Sequence, residues 1–496
     1  MVWQQIPSKD EIYAKAKKLV VETKLLINGE FRNAQSGKTF ESLNPSTGKK
    51  LAAVAAADKE DIDFAVAAAR NAFEKGPWAK MSGRERGRIL YKVGQLIREH
   101  QEEFAILESL DNGKPVRESQ WAAPVSAEVF EYYAGWADKN YGEIVPLKTN
   151  NLNYVVHEPV GVVGAIIPWN FPTTQATFKT VPAVAMGNSV VLKPAEQTPL
   201  TALLMGRLCL EADMPPGVWN VTPGLGEIAG AALAVHMDVD AIAFTGSTAV
   251  GREILKAAST NLKKVSLELG GKSPNIVFAD ADMEAAVQGA LIGMFYNQGQ
   301  VCNAGTRLLL QESIYDQFME KLIAFTKSRV VGNPLDPATQ MGAIVSQEQL
   351  DKDLEYIKVG KKEGARLLCG GKRIYPESGY FLEPTIFGEV DNNMKIAQEE
   401  IFGPVLSVLK FKDMDDAIKL ANQTIYGLAA GVWTKDIKVA HNMARRLKSG
   451  TVWINIFGPF DIASPWTGWK QSGIGTEWGK NMLEFVTDVK SVWVAL

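Results

Sequence analysis

The chain has 496 residues, 46% of them hydrophobic and 22% charged, with a formal net charge of −3. That length exceeds what one hydrophobic core organises and predicts roughly two to four structural units. Basic and acidic residues are interspersed, so no Lys/Arg stripe exists to follow a phosphate backbone, which argues against nucleic acid as a partner.

The opening MVWQQIPSKDEIYAKAKK lacks an apolar leader core, and nowhere do about 18 apolar residues run together, so neither secretion nor a membrane is expected and the cytoplasm is the default. KLLINGEFR then sets Asn28-Gly29 between apolar arms and predicts a tight hairpin. Asp58 is placed as the N-cap of a helix through FAVAAARNAF, and a second helical run follows at RGRILYKVGQLIREH. Beyond Val160 the short apolar strands GVVGAIIP, SVVLKP, VWNVTPG, AIAFTG and KVSLELGG alternate with helical stretches, the mark of a doubly wound α/β unit. After Asp280 a second such series includes RLLLQ, AGVWT and TVWIN, so two α/β units share the chain. The tail TDVKSVWVAL reads as an amphipathic strand that pairs with another element or another subunit.

In open α/β sheets, ligands sit beyond the carboxyl ends of strands, so the strand-ending turns carry most of the functional signal. AIIPWNFP holds Asn170 between Pro168 and Pro172, and a rigid side-chain amide suits an oxyanion hole. VVLKPAEQTP offers Lys193 and Glu196, a donor and a carboxylate suited to ribose hydroxyls. Two glycine-marked turns, Gly224-Leu-Gly226-Glu-Ile-Ala-Gly230 and Gly246-Ser-Thr-Ala-Val-Gly251, let backbone amides approach a pyrophosphate, although neither is the standard G-x-G-x-x-G. SLELGGKSP ends on Glu268, expected to project free into a cleft as a general base. Gly271-Lys272-Ser273 has the ending of a P-loop, but Ser266 stands where the upstream glycine is required.

The three cysteines, Cys209, Cys302 and Cys369, are far apart and lack metal-ligand spacing, so neither disulfides nor a metal site is expected. Cys209 and Cys369 lie in apolar runs and read as core residues. Cys302, in FYNQGQVCNAGTR, has Gln298, Gly299, Gln300, Asn303, Ala304 and Gly305 around it, poor core neighbours because buried amides need partners. Four isolated histidines supply little imidazole chemistry.

PWNFP, KPAEQTP, FTGSTAVG, LELGGKSP, NQGQVC and EEIFGP, in this order and spacing, resemble the aldehyde dehydrogenase superfamily, from residue 24 to the C-terminus. The resemblance is nearest to its broad-substrate, NAD-linked branch. It implies Cys302 as nucleophile, Asn170 with the Cys302 amide as oxyanion hole, and Glu268 as the base that activates the deacylating water. It further implies Lys193 and Glu196 at the adenosine ribose, Trp169 and Ser247 at the pyrophosphate, with Gly226, Gly230 and Gly246 in the cofactor turns. Glu400 and Phe402 fall on the nicotinamide side, and Lys179 with Glu477 match a secondary proton path. Phe171, Phe178, Tyr296, Phe460 and Trp466 resemble the lining of the family's aldehyde tunnel.

The fold so implied is two doubly wound α/β domains with a β oligomerisation arm. Its expected segments are 1–139 and 160–270 for the cofactor domain, 140–159 for the arm, 271–470 for the catalytic domain, and 471–496 for a return segment and terminal strand. The expected cofactor is NAD, with NADP weaker; the expected partners are a small aldehyde and further copies of the chain, as dimers or tetramers. Aliphatic or aromatic aldehydes of modest width fit the tunnel residues. An amino- or betaine-aldehyde is the alternative, with a cation against Trp466 and Asp461 nearby, although Phe171 stands where a tyrosine would complete the cage. Glu268 argues against a CoA-acylating enzyme, and the complete set Cys302, Glu268 and Asn170 argues against a nucleotide-binding protein without turnover.

Overall fold

The computed structural model describes residues 6–496, so the start of the opening segment lies outside the described residues. Asn28 and Gly29 both take positive φ, 55° and 80°, and turn Leu25–Ile27 back on Glu30–Arg32 as the Asn-Gly pair predicts. Asp58 caps helix Lys59–Glu74 in a reciprocal capping box with Asp61.

The strands expected after Val160 form the parallel centre of an eight-stranded sheet, in the spatial order Trp219–Val221, Ser189–Lys193, Val162–Ile166, Ala241–Thr245 and Lys264–Glu268. Each of the middle three is buried along its whole length, as a parallel strand covered by helices on both faces must be. Val162–Ile166 pairs with both Ser189–Lys193 and Ala241–Thr245, so the winding direction reverses around it. Ligand crevices open at such a reversal. The N-terminal hairpin closes one edge through Leu26 against Val221, and Gly473–Ile474 closes the other, antiparallel to Lys264–Glu268.

A seven-stranded sheet carries the second series, ordered Arg366–Cys369, Thr385–Gly388, Val405–Phe411, Arg307–Gln311, Pro274–Val277, Ala429–Trp433 and Thr451–Ile454. All pairs but the first are parallel. A third, three-stranded sheet joins Glu143–Val145, Asn151–Pro159 and Thr487–Ala495, the last two paired from Thr487↔Pro159 to Ala495↔Asn151. The terminal strand thus finds a partner within its own chain. It is not amphipathic: Val489, Lys490, Trp493 and Val494 are exposed on both faces. Among the described residues no helix is long and apolar enough to cross a membrane.

Candidate active site

Two strand ends and one loop converge between the large sheets. Glu268 ends its strand opposite Thr245, and the chain then passes through Gly270 and Gly271. A Cβ on Gly270 would lie 2.5 Å from a Glu400 carboxylate oxygen, and one on Gly271 would lie 2.2 Å from the Cys302 carbonyl oxygen. At Gly271, where the clash is with backbone, only glycine fits; at Gly270 a side chain would displace the Glu400 carboxylate. The Gly271 amide donates to Glu400 at 2.8 Å, and the Ser472 hydroxyl donates to the Gly270 carbonyl at 2.6 Å. This tight crossing brings Glu268, Glu400 and the nucleophile loop together.

Cys302 is half-buried. Burial first, and then the charge of Glu268, push its thiol well above the ordinary range. Glu268 is only 3% exposed. Burial raises its pKa, against the pull of Lys179 and the approach of the Cys302, Thr245 and Trp466 side chains. Neither of its oxygens has a partner in hydrogen-bond geometry. A buried carboxylate with unspent acceptors beside a thiol is equipped to take a proton from it or from water. Glu400, half-buried, is pushed up to about 7 by desolvation.

Asn170 lies between strand Val162–Ile166 and helix Pro172–Ala185. Its Nδ2 donates to the Gln300 carbonyl at 3.0 Å, and its own carbonyl accepts from Asn297 Nδ2 at 2.9 Å. Hydrogen bonds to the nucleophile loop, as well as the flanking prolines, therefore fix this amide, and its second Nδ2 hydrogen is left to point elsewhere. Lys179, on the same helix and fully buried, is in contact with the Glu477 carboxylate. Burial pushes its ammonium down, opposed by the charges of Glu268 and Cys302.

The amides around Cys302 overturn the premise drawn from them. Gln298 and Gln300 are fully buried and belong to the core after all, because each is satisfied. Gln298 takes the Gly342 amide at 3.0 Å and gives to the Ala343 carbonyl at 3.1 Å, while Gln300 takes the Val345 amide at 3.0 Å. They brace the loop against a distant segment. Cys209 and Cys369 are buried, with thiols raised by burial, as core residues should be.

On the cofactor side, Lys193 Nζ stands 3.3 Å from Glu196, with the lysine buried and the carboxylate one third exposed. Gly226 and Gly230 begin and end a short π-helix beside the lysine; Cβ atoms there would sit 3.8 Å from Nζ and 3.5 Å from Cδ. Gly224 differs, since it packs on the Ala57 carbonyl. Ser247 caps helix Thr248–Ala258 through the Val250 amide at 3.2 Å, and Gly246 packs its Cα against the ring of Phe244. Trp169 meets Phe402 edge-on at 5.2 Å, and Phe402 holds a φ of 68°.

The expected tunnel residues separate into two aromatic groups. Phe171 stacks on Tyr296 at 6.0 Å with the Lys114 ammonium 4.1 Å from the Phe171 ring. Phe178, Phe460 and Trp466 gather instead around Trp478, at 4.9, 5.2 and 5.2 Å. Sequence reasoning missed Trp478, which follows Glu477 with a φ of 62°. Asp461 is exposed and accepts from the Ala463 amide at 2.8 Å, binding its own loop.

A lysine–carboxylate pair at a strand end beside the reversal point, together with a thiol, a buried carboxylate and a fixed amide, defines a class, and that class is shown by comparison. The chain belongs to the aldehyde dehydrogenase family, whose family model matches residues 31–492. The mitochondrial aldehyde dehydrogenase of Homo sapiens is 52% identical over 95% of this chain and 91% of its own length; the mitochondrial family 2 member B4 of Arabidopsis thaliana is likewise 52% identical over 96% and 89%. The structure of P. syringae AldA indole-3-acetaldehyde dehydrogenase in complex with NAD+ and IAA superposes with a TM-score of 0.97, at 45% identity over 99% of this chain and 100% of that one. An NAD+ complex of an aldehyde dehydrogenase from Bacillus cereus gives 0.95 at 48% identity, over 99% and 100%. Members of the family oxidise aldehydes to acids, and the α/β architecture of this chain is theirs.

Proposed function

We propose that this chain oxidises an aldehyde to its carboxylic acid with NAD through an acyl thioester on Cys302. The observation that carries the proposal is the packing of Cys302, Glu268 and Asn170 around one crossing of the chain. The residues at these strand ends fit a dinucleotide: Glu196 would accept ribose hydroxyls, Lys193 would donate beside them, and Gly226 and Gly230 would leave room above the lysine. Ser247, Gly246 and Trp169 would hold the pyrophosphate side, and Glu400 with Phe402 the nicotinamide side. The NAD+ complexes among the structural neighbours support this reading. NAD, when bound, supplies the hydride acceptor.

This chain's residues do the rest. The Cys302 proton passes to Glu268, and the thiolate adds to the carbonyl carbon while Asn170 Nδ2 and the Cys302 amide hold the developing oxyanion. Loss of hydride from that carbon leaves a thioester. Once that first proton has left Glu268, the carboxylate takes a proton from water, which attacks the acyl carbon and expels the thiolate as the acid departs. Lys179, whose charge acts on Glu268, and Glu477 in contact with it would offer that proton a way out. The aromatic walls around Trp478 suit aliphatic or aromatic aldehydes of modest width. Asp461, spent on its own loop, gives little support to a cationic substrate.

Cys302→Ala tests the assignment. NADH formation with a panel of aldehydes should vanish while NAD still binds, because the ribose and phosphate contacts are untouched. Activity within tenfold of the parent enzyme would overturn it.

A further inference from the structure

Glu118 lies on the short helix Val116–Ser119, far in sequence from every motif above, and its carboxylate accepts the backbone amide of Asn297 at 2.8 Å. Asn297 is where helix Met283–Phe295 gives way to the nucleophile loop. It takes a φ of 46°, Gln298 follows at 57° and Gly299 at 72°, so consecutive left-handed residues, two of them not glycine, lead to Cys302. Such a run is strained and persists only where its surroundings hold it. Asn297 is wholly buried, so its amide has no recourse to water.

The same residue reaches both halves of the proposed catalytic apparatus. Asn297 Nδ2 donates to the Asn170 carbonyl at 2.9 Å and to the Gln300 carbonyl at 3.4 Å, and Gln300 also receives Asn170 Nδ2 at 3.0 Å. One carboxylate thus fixes a residue that ties the oxyanion amide to the nucleophile loop. We infer that Glu118 is a positioning residue, holding Asn297 in its left-handed conformation so that Asn170 and Cys302 keep their mutual geometry. It touches neither Cys302 nor the proposed cofactor crevice. Burial raises its pKa to about 7, while Lys114, Arg117 and Arg329 favour the charged acceptor.

The inference rests on the reaction proposed above, and its test separates the two. In stopped flow, the parent enzyme should form NADH in its first turnover, with label trapped on Cys302; without either, the proposed reaction fails whatever Glu118 does. Given that turnover, Glu118→Ala should slow the first-turnover rate at least tenfold with the NAD dissociation constant changed less than twofold. Glu118→Gln keeps an acceptor oxygen and should return to within about threefold of the parent. Asn297→Gly accepts the positive φ but removes the bridging amide, and it should reproduce the Glu118→Ala defect even if Glu118→Ala itself folds poorly. A first turnover within twofold of the parent in Glu118→Ala or Asn297→Gly would overturn the inference. So would equal impairment of Glu118→Ala and Glu118→Gln.

Discussion

At Cys302 two demands conflict: addition to a carbonyl needs a thiolate, yet burial and the neighbouring Glu268 charge both favour the thiol. An ordinary thiol with a pKa of about 8.5 is a few per cent ionised at neutral pH; this one is less so. The conflict is resolved if Glu268, whose own pKa is raised and whose oxygens are unpartnered, removes the thiol proton. A second residue-scale consequence concerns the cofactor. A 2′-phosphate near Glu196 would meet a like charge, worth roughly 1 kcal/mol at 4 Å in water and about 4 at an effective dielectric of 20. With the Glu196 side chain 33% exposed, solvent screening places the effect near the lower figure, about a fivefold preference for NAD. Glu196→Gln should narrow the ratio of kcat/KM for NAD over NADP; a ratio unchanged by that substitution would remove Glu196 from cofactor choice.

At the scale of elements, the crossing of Gly270-Gly271 under the nucleophile loop makes a sharp claim. Gly271→Ala must move the Cys302 carbonyl, whose oxygen would lie 2.2 Å from the new Cβ, and should lower the first-turnover rate about a hundredfold or more with a stability loss of about 1 to 3 kcal/mol. Gly135→Ala, in helix Ala122–Trp136 where a Cβ meets nothing within 4 Å, should instead stabilise by about 0.5 to 1 kcal/mol without altering turnover. Thermal melts and stopped flow check both. The same scale separates what the sequence reveals from what it hides. The parallel strands, the Asn28-Gly29 hairpin and the Asp58 cap were legible because each is written in local pattern and turn chemistry. Cys302, Glu268, Asn170 and Lys193 were legible as motifs at strand ends and in loops. Glu118, Trp478 and the partners of Gln298 and Gln300 were not, since they depend on segments brought together only by the fold.

For the whole molecule, the three-stranded sheet leaves an unpaired edge along Thr487–Ala495, with Val489 67%, Trp493 61% and Leu496 75% exposed. A long edge bearing apolar side chains invites pairing with another copy, which is the oligomerisation role expected of this arm and of segment 140–159. Trp493→Lys with Val489→Lys should lower the mass found by light scattering, and an unchanged oligomer would place the interface elsewhere.

In the proposed chemistry Cys302 carries the acyl group and Glu268 releases it. Glu268→Gln, mixed with NAD and a good aldehyde, isolates the two halves. Deacylation should fall by about 10²- to 10⁴-fold, the usual worth of general-base assistance, so acyl-enzyme accumulates. One NADH per active subunit should form before the slow steady rate. That burst should be slower than in the parent and should quicken as pH rises, because the thiol must then lose its proton without Glu268. Rapid-quench mass spectrometry should find the acyl mass on the Cys302 peptide. Loss of turnover with neither burst nor adduct at any pH would contradict the account.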